Sequence, residues 1–169
     1  MLTAVYSLTD LSQGEDEAGL LQSTSAIQRL VQAELDGTAP ELNGNRIPAD
    51  RIVVGGFSQG GAIALLTGLL SPEPLAGVAA LSTWLPLATK VPQLRRRQGG
   101  FPIFQAHGTA DPIVDPDYGR QTSEALRTKF GFGDAAEFHT YRGMMHAACP
   151  EEVNDLSAWL ERVLPWRAP

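Results

Sequence analysis

Three polar residues, far apart in the chain, could act together: Ser58, Asp111 and His146. Ser58 lies in Gly56-Phe57-Ser58-Gln59-Gly60, between the β-favouring run Ile52-Val53-Val54 and an apolar, helix-like run that ends near Leu70. A chain that leaves a strand and enters a helix through so tight a turn needs small residues beside the turn, and it exposes the hydroxyl at the apex. A hydroxyl is a weak nucleophile until a neighbouring base takes its proton. His146 can be that base, and Asp111 can hold its tautomer and stabilise the imidazolium that forms. The backbone N–H of Gln59, at the start of the helix, faces the same space and could stabilise an oxyanion. The order Ser, Asp, His, each after a strand-like run, fits acyl transfer through a serine nucleophile.

Other readings of the same residues fit less well. A phosphate loop needs a Lys-Ser/Thr pair after its glycines, and no lysine is near this turn. Gly55, Gly56, Gly60 and Gly61 do not give the Gly-x-Gly-x-x-Gly spacing of a dinucleotide site. His139 falls inside a strand-like run and reads as a packed residue. His107 sits at a strand exit and reads as a turn-stabilising hydrogen-bonding group. Asp115 remains open as an alternative orienting acid, while Asp117 reads as a helix cap. Cys149, at a helix start, reads as a small buried hydrophobe. His, Cys and carboxylates show no zinc spacing, so neither a metal nor a cofactor is expected.

The elements that must position the triad alternate. A helix is expected over residues 17–35, ended by Asp36-Gly37, then a Gly/Pro/Asn-rich loop over 37–50. Strands are expected over 51–57, 75–81, 101–106 and 137–141, with helices over 59–70, 117–130 and 151–164. In the first helix Leu20, Leu21, Ile27, Leu30, Val31 and Leu35 have helical spacing, and in the last Val153, Leu156, Trp159, Leu160 and Val163 share a face. Alternating strands and helices imply an α/β domain with a mostly parallel sheet covered on both faces. The whole chain, 1–169, reads as one such domain, with no internal repeat.

Composition narrows the partners. A formal net charge of −6 argues against nucleic acid bound through its phosphates. Arg95-Arg96-Arg97 is the one basic run, read as a solvated loop with transient membrane contact as the alternative. One cysteine excludes an internal disulfide and fits a reducing compartment. The N-terminal residues do not read as a secretory signal, Leu2 rules out myristoylation, and no stretch is long and apolar enough to cross a membrane.

The motifs GGFSQGGA, ALSTWLPL, HGTADPIV and Tyr141-Arg142-Gly143-Met144-Met145-His146, with the acidic GEDEAG before the first helix, resemble the acyl-protein thioesterase family of serine hydrolases, which includes carboxylesterases and lysophospholipases. The resemblance runs from about Leu11 to the last helix. It implies an α/β-hydrolase fold and cleavage of thioesters or esters of long acyl chains, with S-acylated proteins or lysophospholipids as substrates. It carries the catalytic roles onto Ser58, Asp111 and His146. It implies an acyl channel bordered by Trp84, Leu85 and Pro86, for which a plain hydrophobic loop is the alternative. It also implies a cytoplasmic place of action, with the nucleus as a second. The chain departs from the family pattern in carrying Val5-Tyr6-Ser7 where Trp-Phe/Tyr-Asp is usual, and in having no His-Gly-Leu-Gly loop or the strands around it. That loop would supply a second oxyanion N–H, and losing one such donor typically costs about 2.7–4 kcal/mol in the transition state. Without those strands, 51–57 is expected to be an open apolar edge, prone to pairing with another chain. An active thioesterase and a shortened, weakly active or inactive acyl-binding module both remain as readings.

Overall fold

The computed structural model describes residues 15–95 and 100–166. Arg96 and Arg97 of the basic run, and Val5-Tyr6-Ser7, lie outside the described residues.

Four strands form one parallel sheet in the order β1-β2-β3-β4: Val53–Phe57, Gly77–Leu81, Ile103–Gly108 and Ala136–Tyr141. Parallel neighbours need crossovers, and the helices supply them. Helix α1 spans Glu17–Asp36, α2 Gln59–Leu70, α3 Val91–Leu94, α4 Pro116–Glu124 and α5 Pro150–Val163. Helix α4 runs on into a π-turn over Ala125–Lys129. Single 3₁₀ turns occupy Pro40–Leu42 within the expected loop and Ala49–Arg51 at its end, and Gly133–Ala135 precedes β4.

Side chains alternate across each strand, and the two faces carry different cores. Val78, Ala80 and Ile103 pack with Leu65, Leu66 and Leu69 of α2 and with Leu126 beyond α4. Ala79, Phe104 and Ala106 pack against Trp159 of α5. Sheet and helices therefore form the expected layered α/β arrangement.

The caps follow the chemistry of their residues. Asp16 accepts the Gly19 N–H at the start of α1, and Gly37, at φ 71°, ends that helix in the left-handed region. Two expected apolar positions turn outward. Leu30 is 64% exposed and Val153 54% exposed, whereas Trp159 is 1% exposed. At 3.6 residues per turn, Val31 falls within roughly 20° of Leu20, but Leu30 sits about 80° away; Val153 lies about 120° from Trp159. The buried stripes are narrower than the apolar spacing implied.

The strand boundaries shift for local reasons. Ala49–Arg51 closes into a 3₁₀ turn, so β1 starts at Val53 rather than at 51. His107 and Gly108 extend β3 past 106 by pairing with Thr140 and Tyr141. Among the described residues β1 is the edge strand of the sheet, as expected. A groove of about 290 Å³ runs beside it, lined by Ala26, Ile27, Val54, Gly55, Gly60 and Ile63 among others.

Candidate active site

Ser58 stands where β1 becomes α2. Its φ of 55° and ψ of −124° are strained for a residue with a Cβ, as a forced turn demands. Its N–H continues the ladder to Leu81 O at 2.8 Å, and its carbonyl accepts the N–H groups of Gly61 and Ala62. The turn is thus fixed from both sides. Gln59 is the first residue of α2, so its N–H has no carbonyl within the helix to bond.

The glycines of the turn are not equivalent. A Cβ on Gly56 would lie 2.2 Å from the carbonyl carbon of Gly60, and one on Gly61 would lie 2.8 Å from Thr83 Cγ2. A Cβ on Gly60 would meet nothing within 4 Å. The steric demand falls on Gly56 and Gly61, which corrects the expectation that both glycines flanking Ser58 are needed for space.

Asp111 and His146 come from the loops after β3 and β4. His146 Nδ1 lies 2.7 Å from Asp111 Oδ2. Asp111 Oδ1 accepts the N–H groups of Ile113 at 2.9 Å and Val114 at 3.0 Å. Burial pushes the Asp111 carboxyl up, but the His146 hydrogen bond and the two backbone N–H groups outweigh it, holding the group below its ordinary value. An ionised Asp111 places the imidazole proton on Nδ1 and leaves Nε2 as the acceptor.

The two loops are fastened to each other. Thr109 N–H donates to Tyr141 O, Ala110 N–H to Met144 O, and Gly143 N–H to Thr109 Oγ1. Gly108 permits this closeness, since a Cβ there would lie 2.1 Å from Met144 O. β1 and β4 are three strand spacings apart, on the order of 14 Å. The His146 loop nevertheless reaches across the sheet end: the Phe57 ring centroid is 4.6 Å from that of His146. The base therefore lies beside the residue that precedes Ser58.

The competing residues settle into structural positions. His107 is fully buried, and its Nε2–H donates to Val114 O at 3.0 Å, bracing the Asp111 loop as expected. His139 stacks on Phe104 at 4.8 Å within β4. Asp115 is the cap of α4, accepting the Asp117 N–H at 2.9 Å. Asp117, expected as the cap, sits two residues past it in the first turn and pairs with Arg120. Cys149 caps α5 through its sulfur and is half-buried. Arg95 is tied down, donating to Phe130 O and lying 4.9 Å from the Phe132 ring centroid. Among the described residues no three His, Cys, Asp or Glu side chains cluster as metal ligands, and no helix is long and apolar enough to cross a membrane.

Trp84 is buried with Ala62 and Val114, which joins the loops after β2 and β3 to α2. Trp84 and Leu85 also line a groove of about 320 Å³ with Tyr118, Thr122 and Ala125. Leu85 N–H donates to Thr122 Oγ1 at 2.8 Å, and Pro86 is buried beside them. Sequence reasoning did not find Phe57, Thr83, Val114 or Thr122 as supports of the site. Phe57 meets His146, Thr83 meets Gly61, Val114 meets Trp84 and Thr122 meets Leu85 across long stretches of chain, and no local spacing announces those contacts.

A model of the phospholipase/carboxylesterase family matches residues 3–164. The chain belongs to the phospholipase/carboxylesterase family. It is 57% identical over 163 residues to acyl-protein thioesterase 1 of Mycosarcoma maydis, covering 95% of this chain and 68% of that protein. It is 40% identical over 166 residues to acyl-protein thioesterase 1 of Cryptococcus neoformans, covering 92% of this chain and 66% of that one. The chain thus spans about two thirds of the length of these relatives. Crystal structures of Zea mays acyl-protein thioesterase 2 and Arabidopsis thaliana SOBER1 superpose with TM-scores of 0.73 and 0.72, at 26% and 27% identity. Each alignment covers 89% of this chain and 67% of the other. The fold is that of an α/β-hydrolase, and the sequence places this chain in a family of hydrolases.

Proposed function

We propose that this member of the phospholipase/carboxylesterase family hydrolyses acyl thioesters, removing long acyl chains from S-acylated proteins, with Ser58 as nucleophile. The observation that carries the reading is the Asp111–His146 pair, hydrogen-bonded at 2.7 Å and delivered to the end of β1 beside Phe57. The naming of its relatives as acyl-protein thioesterases supports the choice of substrate.

The chemistry follows from the positions. His146 Nε2 takes the proton of Ser58 Oγ as the oxygen attacks the acyl carbon. Negative charge gathers on the acyl oxygen and is met by the Gln59 N–H. The C–S bond then breaks, and the cysteine sulfur leaves with the proton from His146. Water, deprotonated by the same imidazole, attacks the acyl-serine; Ser58 recovers its proton and the fatty acid departs. Asp111 keeps its negative charge throughout and stabilises each imidazolium. The groove beside Trp84 and Leu85 is the apolar surface offered to the acyl chain.

A fluorophosphonate probe tests the nucleophile, and an S-palmitoyl peptide beside its oxygen ester and a lysophospholipid tests the substrate. Labelling of the wild type that Ser58→Ala abolishes, with the thioester turned over fastest, is the expected result. Equal labelling of both proteins would remove Ser58 from the mechanism, and faster turnover of the lysophospholipid would replace the substrate.

A further inference from the structure

The geometry points to Phe57 as a positioning residue that holds the His146 ring and stabilises its protonated form during acylation; this rests on the reading of His146 as the base. Phe57 ends β1, immediately before Ser58, and is 37% exposed although large and apolar. Its ring centroid lies 4.6 Å from the imidazole centroid at an interplanar angle of 49°. Asp111 fixes Nδ1 of that imidazole but restrains only one edge of the ring. A ring held at one atom can still pivot about it, and a pivot about Nδ1 displaces Nε2 on the far side of the ring. Phe57 blocks that pivot from the β1 side.

The contact also has an electronic consequence. An aromatic face attracts a cation within about 6 Å of its centroid. Neutral imidazole gains little from such a face, whereas the imidazolium formed when Ser58 gives up its proton gains more. The attraction is therefore stronger in the transition state than before it, the condition for a rate effect. Other charged or titratable groups belong to the loop after β3 and to the helix that follows His146. Asp111, on the loop after β3, binds Nδ1, and His107 Nε2 lies 3.5 Å from the same carboxylate oxygen. Cys149 and Glu152 open the helix that follows His146, with Glu152 fully buried. Phe57 is the aromatic group on the β1 side.

Phe57→Leu retains an apolar side chain without the π face, and Phe57→Tyr retains the face. Two readouts separate the electronic role from simple packing: the rate of fluorophosphonate labelling, and the titration of the His146 imidazole followed by NMR of histidine-labelled protein. In Phe57→Leu the labelling rate at its high-pH plateau is expected to fall roughly two- to fivefold, the factor that 0.5–1 kcal/mol gives at 1.36 kcal/mol per tenfold. The imidazole midpoint moves to lower pH, because the cation loses its partner. Phe57→Tyr keeps both close to wild type. A Phe57→Leu midpoint that stays in place, or a Phe57→Tyr that behaves as Phe57→Leu does, would overturn the inference. Absence of labelling in the wild type would instead overturn the proposed nucleophile, while the NMR midpoints would still judge the contact.

Discussion

The two halves of the candidate site are supported very differently. The acid and base belong to loops after β3 and β4, and six hydrogen bonds bind them: His146 and two backbone N–H groups to Asp111, and three between the loops from Thr109, Ala110 and Gly143. The candidate nucleophile ends β1, an edge strand with a groove beside it. Ser58 is held by its own backbone, through the Leu81 carbonyl and the first turn of α2. On the β3–β4 side backbone bonds and Gly108 hold the loops together, but the acid and base are joined through side chains that could be replaced one at a time. On the β1 side geometry is enforced by sterics, through glycines that tolerate no Cβ. The first half should fail in chemistry and the second in folding.

The largest effect expected from breaking the β3–β4 side is on turnover. Asp111→Asn retains the shape but can donate to Nδ1, favouring the tautomer with its proton on Nε2. Such a change typically lowers kcat by about 10⁴ in Ser-His-Asp enzymes, with the fold intact. Thioester turnover measured beside a thermal melt checks it. A loss of only a fewfold would mean that another group orients His146.

Gly56→Ala should break the other half by the other route. Its Cβ would meet Gly60 and Gly61 backbone atoms at 2.2–2.7 Å, and backbone cannot swing aside as a flexible side chain does. Overpacking of this kind typically costs about 1–3 kcal/mol, which lowers the melting temperature of a domain this size by several degrees, roughly 2–12 °C. Labelling of Ser58 should be lost along with it. A variant that melts as the wild type does would show that the turn is not sterically fixed.

How much of this was legible in the sequence depends on the range of the information. The strand–Ser58–helix unit was readable because everything it needs lies within 20 residues. The pairing of Asp111 with His146 followed from their places after strand-like runs, since a parallel sheet delivers all such loops to one edge. What escaped was the detail that crosses the sheet. The 4.6 Å approach of Phe57 to His146 depends on how far a loop after β4 reaches back toward β1, which neither propensity nor spacing records. The difference between Gly56 and Gly60 was likewise invisible, because both are glycine and both flank Ser58. Asp117 was expected as the cap and Asp115 as an alternative orienting acid, and the helix start at Pro116 made Asp115 the cap.

Acid should weaken the β3–β4 half before it touches the β1 turn, which contains no titrating side chain. The Asp111 carboxyl is held below its ordinary value in the folded protein. Its contribution to stability is present above the unfolded carboxyl range, near 3.9, and is lost as pH falls through the lower folded value. Stability against urea should therefore fall toward pH 3 less steeply in Asp111→Asn than in the wild type. Parallel acid limbs would mean that the carboxylate contributes nothing to the folded state.

The smallest effect, and the sharpest test of the steric half, carries the opposite sign. Gly60 lies in the first turn of α2, and a Cβ there has open space around it. Replacing a glycine by alanine at an unstrained helical position removes freedom from the unfolded chain and typically stabilises by about 0.4–1 kcal/mol. Gly60→Ala should then raise the melting temperature by roughly 1–4 °C and leave Ser58 labelling in place. Its methyl would point toward the groove beside β1, so the same variant reports on that edge. A destabilised Gly60→Ala would mean that something in the folded protein occupies the space its Cβ enters, and that the β1 side is less open than its edge position implies.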